Sequence, residues 1–455
     1  MPDERRSQVP SVERVLAALR ESRSQSPHSL ALEATRGVLA RVRARLSAGE
    51  PAPPLQEVVA EVLDALAASQ RPALEPVING SGVILQTNLG RAPLSERAIA
   101  AMASVARGYS NLEFDLHEGA RGSRHKHVRD LIRRTTGAED GLVVNNNAAG
   151  LFMALQVFAR DREVIVSRGQ AVEIGGGFRI PDVLRQGGAR LVEVGTTNRT
   201  YARDYADAVT LDTAAILRVH SSNFRVIGFT AEASLADLAA LARERGLMLL
   251  DDLGSGCLID TTEFGLAHEP TVQESVSAGV DLALFSGDKL LGGPQCGIIA
   301  GRERHVEILR RHPLARALRV DKLTIAALNA TLQSYVESRH REEIPIWRML
   351  SIPTASLRRR ARRWAAAAGE AGAVVPSRSM VGGGSLPGEG VETWCAAIKP
   401  PGGADRLAAV LRAGAPPIVG RIHDDALLLD PRTVDPKDDG PIEKAVAGAV
   451  GKGKL

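Results

Sequence analysis

One lysine is set among small and turn-forming residues in Ser286-Gly287-Asp288-Lys289-Leu290-Leu291-Gly292-Gly293-Pro294. Apolar runs at 282–285 and 297–300 flank it and read as buried strands. An amine at a strand end attacks a carbonyl only if part of it is deprotonated, so such a site must lower its pKa. The glycines let backbone approach a flat ring and its phosphate, and Ser286 offers that phosphate a hydroxyl. The plain alternative, a solvated loop lysine, loses ground to a second element. Leu247-Met248-Leu249-Leu250-Asp251-Asp252-Leu253-Gly254-Ser255-Gly256 is an apolar strand ending in two carboxylates and small residues. Pyridoxal phosphate works as an electron sink when its ring nitrogen stays protonated, and a carboxylate partner keeps it so. Adjacent strand residues face opposite ways, so only one of the two carboxylates can reach the ring. The Asp-x-Gly spacing favours Asp252 and leaves Asp251 as the fallback.

These two elements need a scaffold that gathers strand ends. From 93 to 312, helical and strand patterns alternate, with strands at 141–144, 164–166, 190–194, 215–219, 247–250 and 282–285. This repetition predicts an α/β domain with a mostly parallel sheet and helices on both faces, and sites in such sheets lie beyond the C-terminal strand ends. Asn146, Asn147, Ser222, Asn223, Asp252 and Lys289 all fall there. The strand at 141–144 runs through Asn145-Asn146-Asn147-Ala148-Ala149-Gly150 into a helical run. That geometry binds a phosphate through backbone N–H groups and the helix dipole, which assigns Asn146, Asn147 and Ala148 to it.

Around this core the chain divides further. Residues 1–70 read as a small helical domain, with Ser26 as N-cap, Pro27 at the first helical position, and Leu32, Thr35, Leu39, Val42 and Leu46 on one face. Arg36, Arg41, Arg43 and Arg45 lie largely off that face, either solvated or tracking nucleic-acid phosphates. Residues 71–92 form a polar, glycine-rich linker that contributes to the site. A helical stretch covers 313–345, where Arg316 and Arg319 at i, i+3 can share a face. A smaller α+β domain spans 346–455, with strands at 418–422 and 426–429 and with Gly382-Gly383-Gly384 as a turn.

Composition bounds the rest. The 455 residues are 44% hydrophobic but only 3% aromatic, so aliphatic side chains must build the core. A net charge of +4 permits a polyanionic partner without requiring one. Cys257, Cys296 and Cys395 lack metal-ligand spacing, so no metal is expected and a reducing compartment is. No apolar run is long enough for a bilayer and no h-region opens the chain, which predicts a cytoplasmic protein with no membrane partner.

Several stretches carry a family resemblance: Pro10-Ser11-Val12-Glu13-Arg14, Thr87-Asn88-Leu89-Gly90-Arg91-Ala92-Pro93-Leu94, Asp251-Asp252-Leu253-Gly254-Ser255-Gly256, Ser286-Gly287-Asp288-Lys289 and Arg316-Ala317-Leu318-Arg319-Val320-Asp321-Lys322. Through them the sequence resembles the bacterial selenocysteine synthases, the L-seryl-tRNA(Sec) selenium transferases of the aspartate-aminotransferase-like pyridoxal phosphate enzymes. The resemblance implies a large cofactor-binding domain, a small C-terminal domain and an N-terminal tRNA-binding domain. It implies that seryl-tRNA(Sec) and selenophosphate are converted to selenocysteinyl-tRNA(Sec). Lys289 then acts as base, water is eliminated through an aminoacrylyl intermediate, and selenium adds. It also implies a homo-oligomer, a ring-shaped decamer of dimers, with sites between subunits and no role for DNA. A seryl ester carries no carboxylate, so the arginines must serve another anion; the phosphate of selenophosphate suits Arg91, Arg316 and Arg319, and more weakly Arg421. By position, Asn223 is assigned the cofactor phenolic oxygen and Gln170 the ring face. The alternative is a pyridoxal phosphate lyase acting on a small amine such as a sugar acid, for which an N-terminal domain would be superfluous.

Overall fold

A computed structural model describes residues 9–22, 26–70, 72–174 and 177–451. Residues 1–8, read above as opening no h-region, and residues 452–455 at the end of the 346–455 domain lie outside the described residues. The chain divides into two units, Met1–Pro76 and Val77–Leu455.

The first unit is helical: α1 (Val12–Glu21), α2 (His28–Ser47) and α3 (Leu55–Gln70). Ser11 caps α1 by accepting from the Arg14 N–H at 3.2 Å. Val15, Leu16 and Leu19 of α1 pack with Val38, Leu39, Val42 and Leu46 of α2 and Val58, Val62 and Leu66 of α3. Pro27, expected at the first helical position, occupies the cap position of α2 without a side-chain cap bond. Its ring fixes φ but offers no acceptor, so the helix starts one residue later. Arg45 leaves the solvated group, because its Nη2 meets Glu61 Oε1 at 2.6 Å and ties α2 to α3. Arg36, Arg41 and Arg43 are exposed.

The second unit is built on a seven-stranded sheet. Its strands are β1 (Asp140–Val144), β2 (Glu163–Ser167), β3 (Arg190–Val194), β4 (Thr213–Val219), β5 (Met248–Gly254), β6 (Leu282–Ser286) and β7 (Gly297–Gly301). The order is β1-β7-β6-β5-β4-β2-β3, with β7 antiparallel to both neighbours and the other pairs parallel. Consecutive residues feed opposite cores. Leu249, Ile216, Ala283 and Ile298 lie on one side, and Leu250, Leu217, Leu284 and Ile299 on the other. A sheet buried on both faces explains why these strands read as continuous apolar runs. The helix α4 (Asn147–Phe158) packs on the second face through Leu151, Ala154 and Leu155. A long helix, α5 (Lys322–Val336), lies on the first through Ile325, Leu328 and Leu332.

Beyond it, α6 (Thr354–Ala367), α7 (Ala404–Arg412) and α8 (Asp439–Gly451) cover an antiparallel sheet of β8 (Gly372–Met380), β9 (Gly390–Ile398), β10 (Arg421–His423) and β11 (Ala426–Leu429), ordered β8-β9-β11-β10. The segment after Pro76 is woven into this layer. Ile78–Asn79 runs parallel to Ile418–Val419, and the Ile84 and Leu85 N–H groups bond the Met380 and Val381 carbonyls at 2.9 and 2.8 Å.

Gly297 marks where β7 crosses the first turn of α4, since a Cβ there would lie 2.2 Å from the Asn146 carbonyl oxygen. Gly297→Ala should destabilise the protein by about 2–3 kcal/mol, read as a lowered urea midpoint. Gly448→Ala in α8, where a Cβ meets nothing within 4 Å, should instead stabilise by about 0.5–1 kcal/mol. Equal effects would contradict the close approach.

Candidate active site

The lysine loop leaves β6 at Ser286 and is clamped by its own backbone. The Gly287 N–H bonds the Cys296 carbonyl at 2.9 Å, the Leu290 N–H bonds the Ser255 carbonyl at 2.9 Å, and the Gly293 N–H bonds the Gly287 carbonyl at 2.8 Å. Tyr335 of α5 donates its hydroxyl to the Leu291 carbonyl at 2.9 Å and accepts from Trp347 Nε1 at 2.6 Å. Lys289 is thereby held with only 7% of its surface exposed. Burial lowers its amine below the usual lysine value; Asp252 opposes this, Arg91 adds to it, and Asp288 and Glu269 oppose it.

The alternation of β5 separates the two carboxylates. Asp251 is fully buried and accepts from Arg218 Nη1 at 2.9 Å and from the Ser275 hydroxyl at 2.6 Å, a structural pairing. Asp252 turns to the α4 face, where Asn147 Nδ2 donates to its Oδ1 at 2.7 Å. Burial pushes the Asp252 carboxyl up to about 6, against the opposing Asn147 hydrogen bond and Lys289 charge. Asp252, not Asp251, is thus the carboxylate whose charge acts on the lysine.

At the start of α4, the Asn146 side chain accepts from the Ala149 N–H at 2.9 Å and caps the helix. The N–H groups of Asn147 and Ala148 have no partner among the described residues. Ser286 pairs across β6 and β7 with Gly297, which touches this same turn, and its hydroxyl makes no hydrogen bond among the described residues. Asn147, read from the sequence as a phosphate residue, thus has a side chain committed to Asp252 and an N–H left open.

The strand-end polar residues divide. Gln170 Oε1 accepts from the Val219 N–H at 3.0 Å, at the end of β4. Asn223 is not brought to the lysine: it is exposed, and its Nδ2 donates to the Glu173 carbonyl at 3.1 Å. Ser222 is the buried one. A Cβ built on Gly254 would lie 3.4 Å from Lys289 Nζ and 3.6 Å from Ser222 Oγ. The chain beyond β4 turns outward after Ser222, which position in the sequence does not reveal. Two residues absent from the sequence reading also stand near, with His220 Nε2 3.3 Å from Glu269 Oε1 but not aligned as a hydrogen bond.

The arginines divide as well. Arg91 Nη1 donates to Asp288 Oδ2 at 2.9 Å, while its buried Nε has no partner. Arg316 and Arg319 do not share a helix face, because that helix, Pro313–Ala317, ends before Arg319. Arg319 instead pairs beside Val144 at the end of β1 and stands 3.9 Å from Glu113. Arg316 is exposed. Arg421 is structural: it donates to the Ser81 carbonyl, to Ser377 Oγ at 2.8 Å and to the Arg378 carbonyl at 3.2 Å. Asp288 was missed. Its sequence signal is only its place before Lys289, since Arg91 lies far away along the chain.

A pKa-lowered amine, a buried carboxylate, an open helix N-terminus and a free hydroxyl together fit pyridoxal phosphate. They match its aldehyde carbon, ring nitrogen and phosphate in turn.

Comparison with known proteins agrees. Residues 77–435 match the SelA family model, described as L-seryl-tRNA selenium transferase. The L-seryl-tRNA(Sec) selenium transferase of Geobacter sulfurreducens is 48% identical over 96% of this chain and 97% of its own length. That of Moorella thermoacetica is 46% identical over 97% and 96%. Among solved structures, a D-glucosaminate-6-phosphate ammonia-lyase superposes with a TM-score of 0.59 at 22% identity, covering 83% of this chain and 97% of its own. That likeness shows a shared fold.

With its carboxyl raised to about 6, Asp252 is ionised above that pH and neutral below it. The Asn147 amide favours the carboxylate, so Asn147→Ala should raise the titration further. Affinity of the apoprotein for pyridoxal phosphate, followed by its absorbance, should therefore fall as pH drops through about 6 in the native chain. It should fall at a higher pH in Asn147→Ala. An unshifted midpoint would separate Asn147 from Asp252.

Proposed function

The chain belongs to the L-seryl-tRNA selenium transferase family, and on that premise we propose that Lys289 and Asp252 centre a pyridoxal phosphate site that converts L-seryl-tRNA(Sec) to L-selenocysteinyl-tRNA(Sec) with selenophosphate. The observation that carries this reading is the buried Lys289 amine, lowered in pKa beside Asp252. When bound, the cofactor supplies a sink for the electron pair left at the seryl α-carbon. Lys289 takes the α-proton, a role suited to an amine whose pKa burial lowers. Asp252, held by Asn147, keeps a proton at the ring nitrogen. The N–H groups of Asn147 and Ala148, with the Ser286 hydroxyl, hold the phosphate. The β-hydroxyl takes a proton, available from the Lys289 ammonium, and leaves as water; selenium from selenophosphate then adds at the β-carbon, while water cuts the P–Se bond and phosphate is released. Ser222 replaces Asn223 in this reading as the hydroxyl near the amine.

The second anion is selenophosphate. Arg91, Arg316 and Arg319 receive its phosphate, with Arg91 standing on Asp288 of the lysine loop. The N-terminal unit takes the tRNA through the exposed Arg36, Arg41 and Arg43. Assembly as a homo-oligomer, a decamer of dimers, and a cytoplasmic location belong to the same reading. Among the described residues no helix is long and apolar enough to cross a membrane. The rival, a small-amine lyase, draws on the ammonia-lyase fold. That fold leaves unmatched a share of this chain comparable in size to the N-terminal unit.

Lys289→Ala should abolish selenium transfer and spare seryl-tRNA(Sec) binding; persisting turnover would remove Lys289 as the base. Arg319→Ala should raise the KM for selenophosphate by roughly 10–100-fold, whereas Arg421→Ala should lower the unfolding midpoint instead. Reversing the charges of Arg36, Arg41 and Arg43 should weaken seryl-tRNA(Sec) binding and flatten its salt dependence, with cofactor absorbance unchanged. Tight, salt-sensitive binding in that variant would move the tRNA surface elsewhere.

A further inference from the structure

The turn Gly382-Gly383-Gly384 has no part in the chemistry described so far, yet it lies directly on the lysine. A Cβ added to Gly384 would stand 2.8 Å from Lys289 Nζ and 3.1 Å from its Cε. All three glycines have positive φ, at 83°, 31° and 79°. A side chain at Gly383 would meet the Leu85 carbonyl oxygen at 2.2 Å. The surface presented to the amine here is therefore bare backbone, pinned between the lysine and the segment after Pro76. Among the described residues, the N–H groups of Gly382, Gly383 and Gly384 donate to nothing. The half-buried turn thus carries three consecutive unused donors.

The cations of the same layer are already engaged. Arg421 serves Ser81, Ser377 and Arg378. Arg432, 2% exposed, serves the Met349 carbonyl at 2.7 Å and Ser379 Oγ at 3.0 Å. Arg378 donates to the Gly390 carbonyl at 2.6 Å. None of these three is left for a free α-carboxylate. Neutral donors beside the base suit a neutral carbonyl, which is what an amino acid esterified to tRNA presents.

We propose that the backbone N–H groups of Gly383 and Gly384 receive the ester carbonyl of the seryl group and bear the charge that grows on its oxygen. This rests on the reading of Lys289 as the base. As the α-proton passes to the Lys289 amine, the electron pair left behind is shared between the cofactor ring and the carbonyl oxygen. The two N–H groups donate to that oxygen, and no bond to the turn forms or breaks. Preorganised amides act most strongly where charge develops during the reaction. An ionised carboxylate at the same place would lose its hydration and find only cationic groups with other work, Lys289 as the base and Arg91 on Asp288. The turn therefore selects esterified over free serine.

The test is α-proton exchange in D2O, followed by proton NMR, with the reconstituted holoenzyme and either L-serine methyl ester or L-serine. Each rate is divided by that of free pyridoxal phosphate, which removes the ester's own acidity. The enhancement should be roughly tenfold or more greater for the methyl ester, and equal enhancements would overturn the proposal. A second protein carries a backbone ester in place of the amide between Gly383 and Gly384, which deletes one donor and keeps the shape. Its kcat with seryl-tRNA(Sec) should fall by roughly 10–1000-fold with KM and cofactor absorbance preserved; an unchanged kcat would overturn the proposal. Cofactor absorbance and seryl-tRNA(Sec) turnover of the native holoenzyme are recorded in the same preparation. Their absence overturns both readings, and their presence without ester preference overturns this one alone.

Discussion

Everything in this site depends on keeping an amine and a carboxylate within electrostatic reach of each other and away from water. Burial disfavours the charged form of each, so Lys289 moves down and Asp252 moves up to about 6. Neither group would rest there alone, because an isolated buried charge is costly. Together they offset one another, and the Asn147 amide at 2.7 Å supports the carboxylate. The pair is thus a place where charge is available yet weakly solvated, which suits proton transfer at a carbon acid.

The fold supplies this arrangement through strand adjacency. Asp252 pairs with Leu284 across β5 and β6, so the carboxylate and the lysine loop leave neighbouring strands at the same edge of the sheet. The antiparallel β7 then returns beside β1, and Gly297 presses on the first turn of α4. That contact sets the helix N-terminus and Asn147 against Asp252. From below, Tyr335 of α5 holds the lysine loop by its carbonyls. From the other side, the segment after Pro76 joins the C-terminal layer and reaches the loop through Arg91 and Asp288. A residue far from the chemistry in sequence is in this way bound to it by one ion pair.

Much of this was legible in the sequence, for physical reasons. Strands buried on both faces announce themselves as apolar runs, and the inner strands were visible as such, while the half-exposed edge strand β3 showed only a mixed polar and apolar pattern. Period-two alternation was enough to say that one of Asp251 and Asp252 serves the site, although the choice needed the partners, Arg218 and Ser275 for one and Asn147 for the other. Side-chain direction in irregular segments was not legible. Asn223 turns out to Glu173 while Ser222 stays buried, and the break after Ala317 separates Arg316 from Arg319. Long-range pairs such as Arg91 with Asp288 leave no trace in spacing. The triple glycine read as a turn, and only its nearness to Lys289 gives it chemical meaning.

The central claim is that Lys289 is the amine that holds the cofactor and answers to an aminoacylated tRNA. The most direct measurement is the visible absorbance of the protein reconstituted with pyridoxal phosphate, recorded as seryl-tRNA(Sec) and, separately, free serine are added. The account predicts a cofactor band that is absent in Lys289→Ala and that changes with the aminoacyl-tRNA but not with serine. A band that survives Lys289→Ala, or one that responds to the free amine and ignores the tRNA, would contradict it.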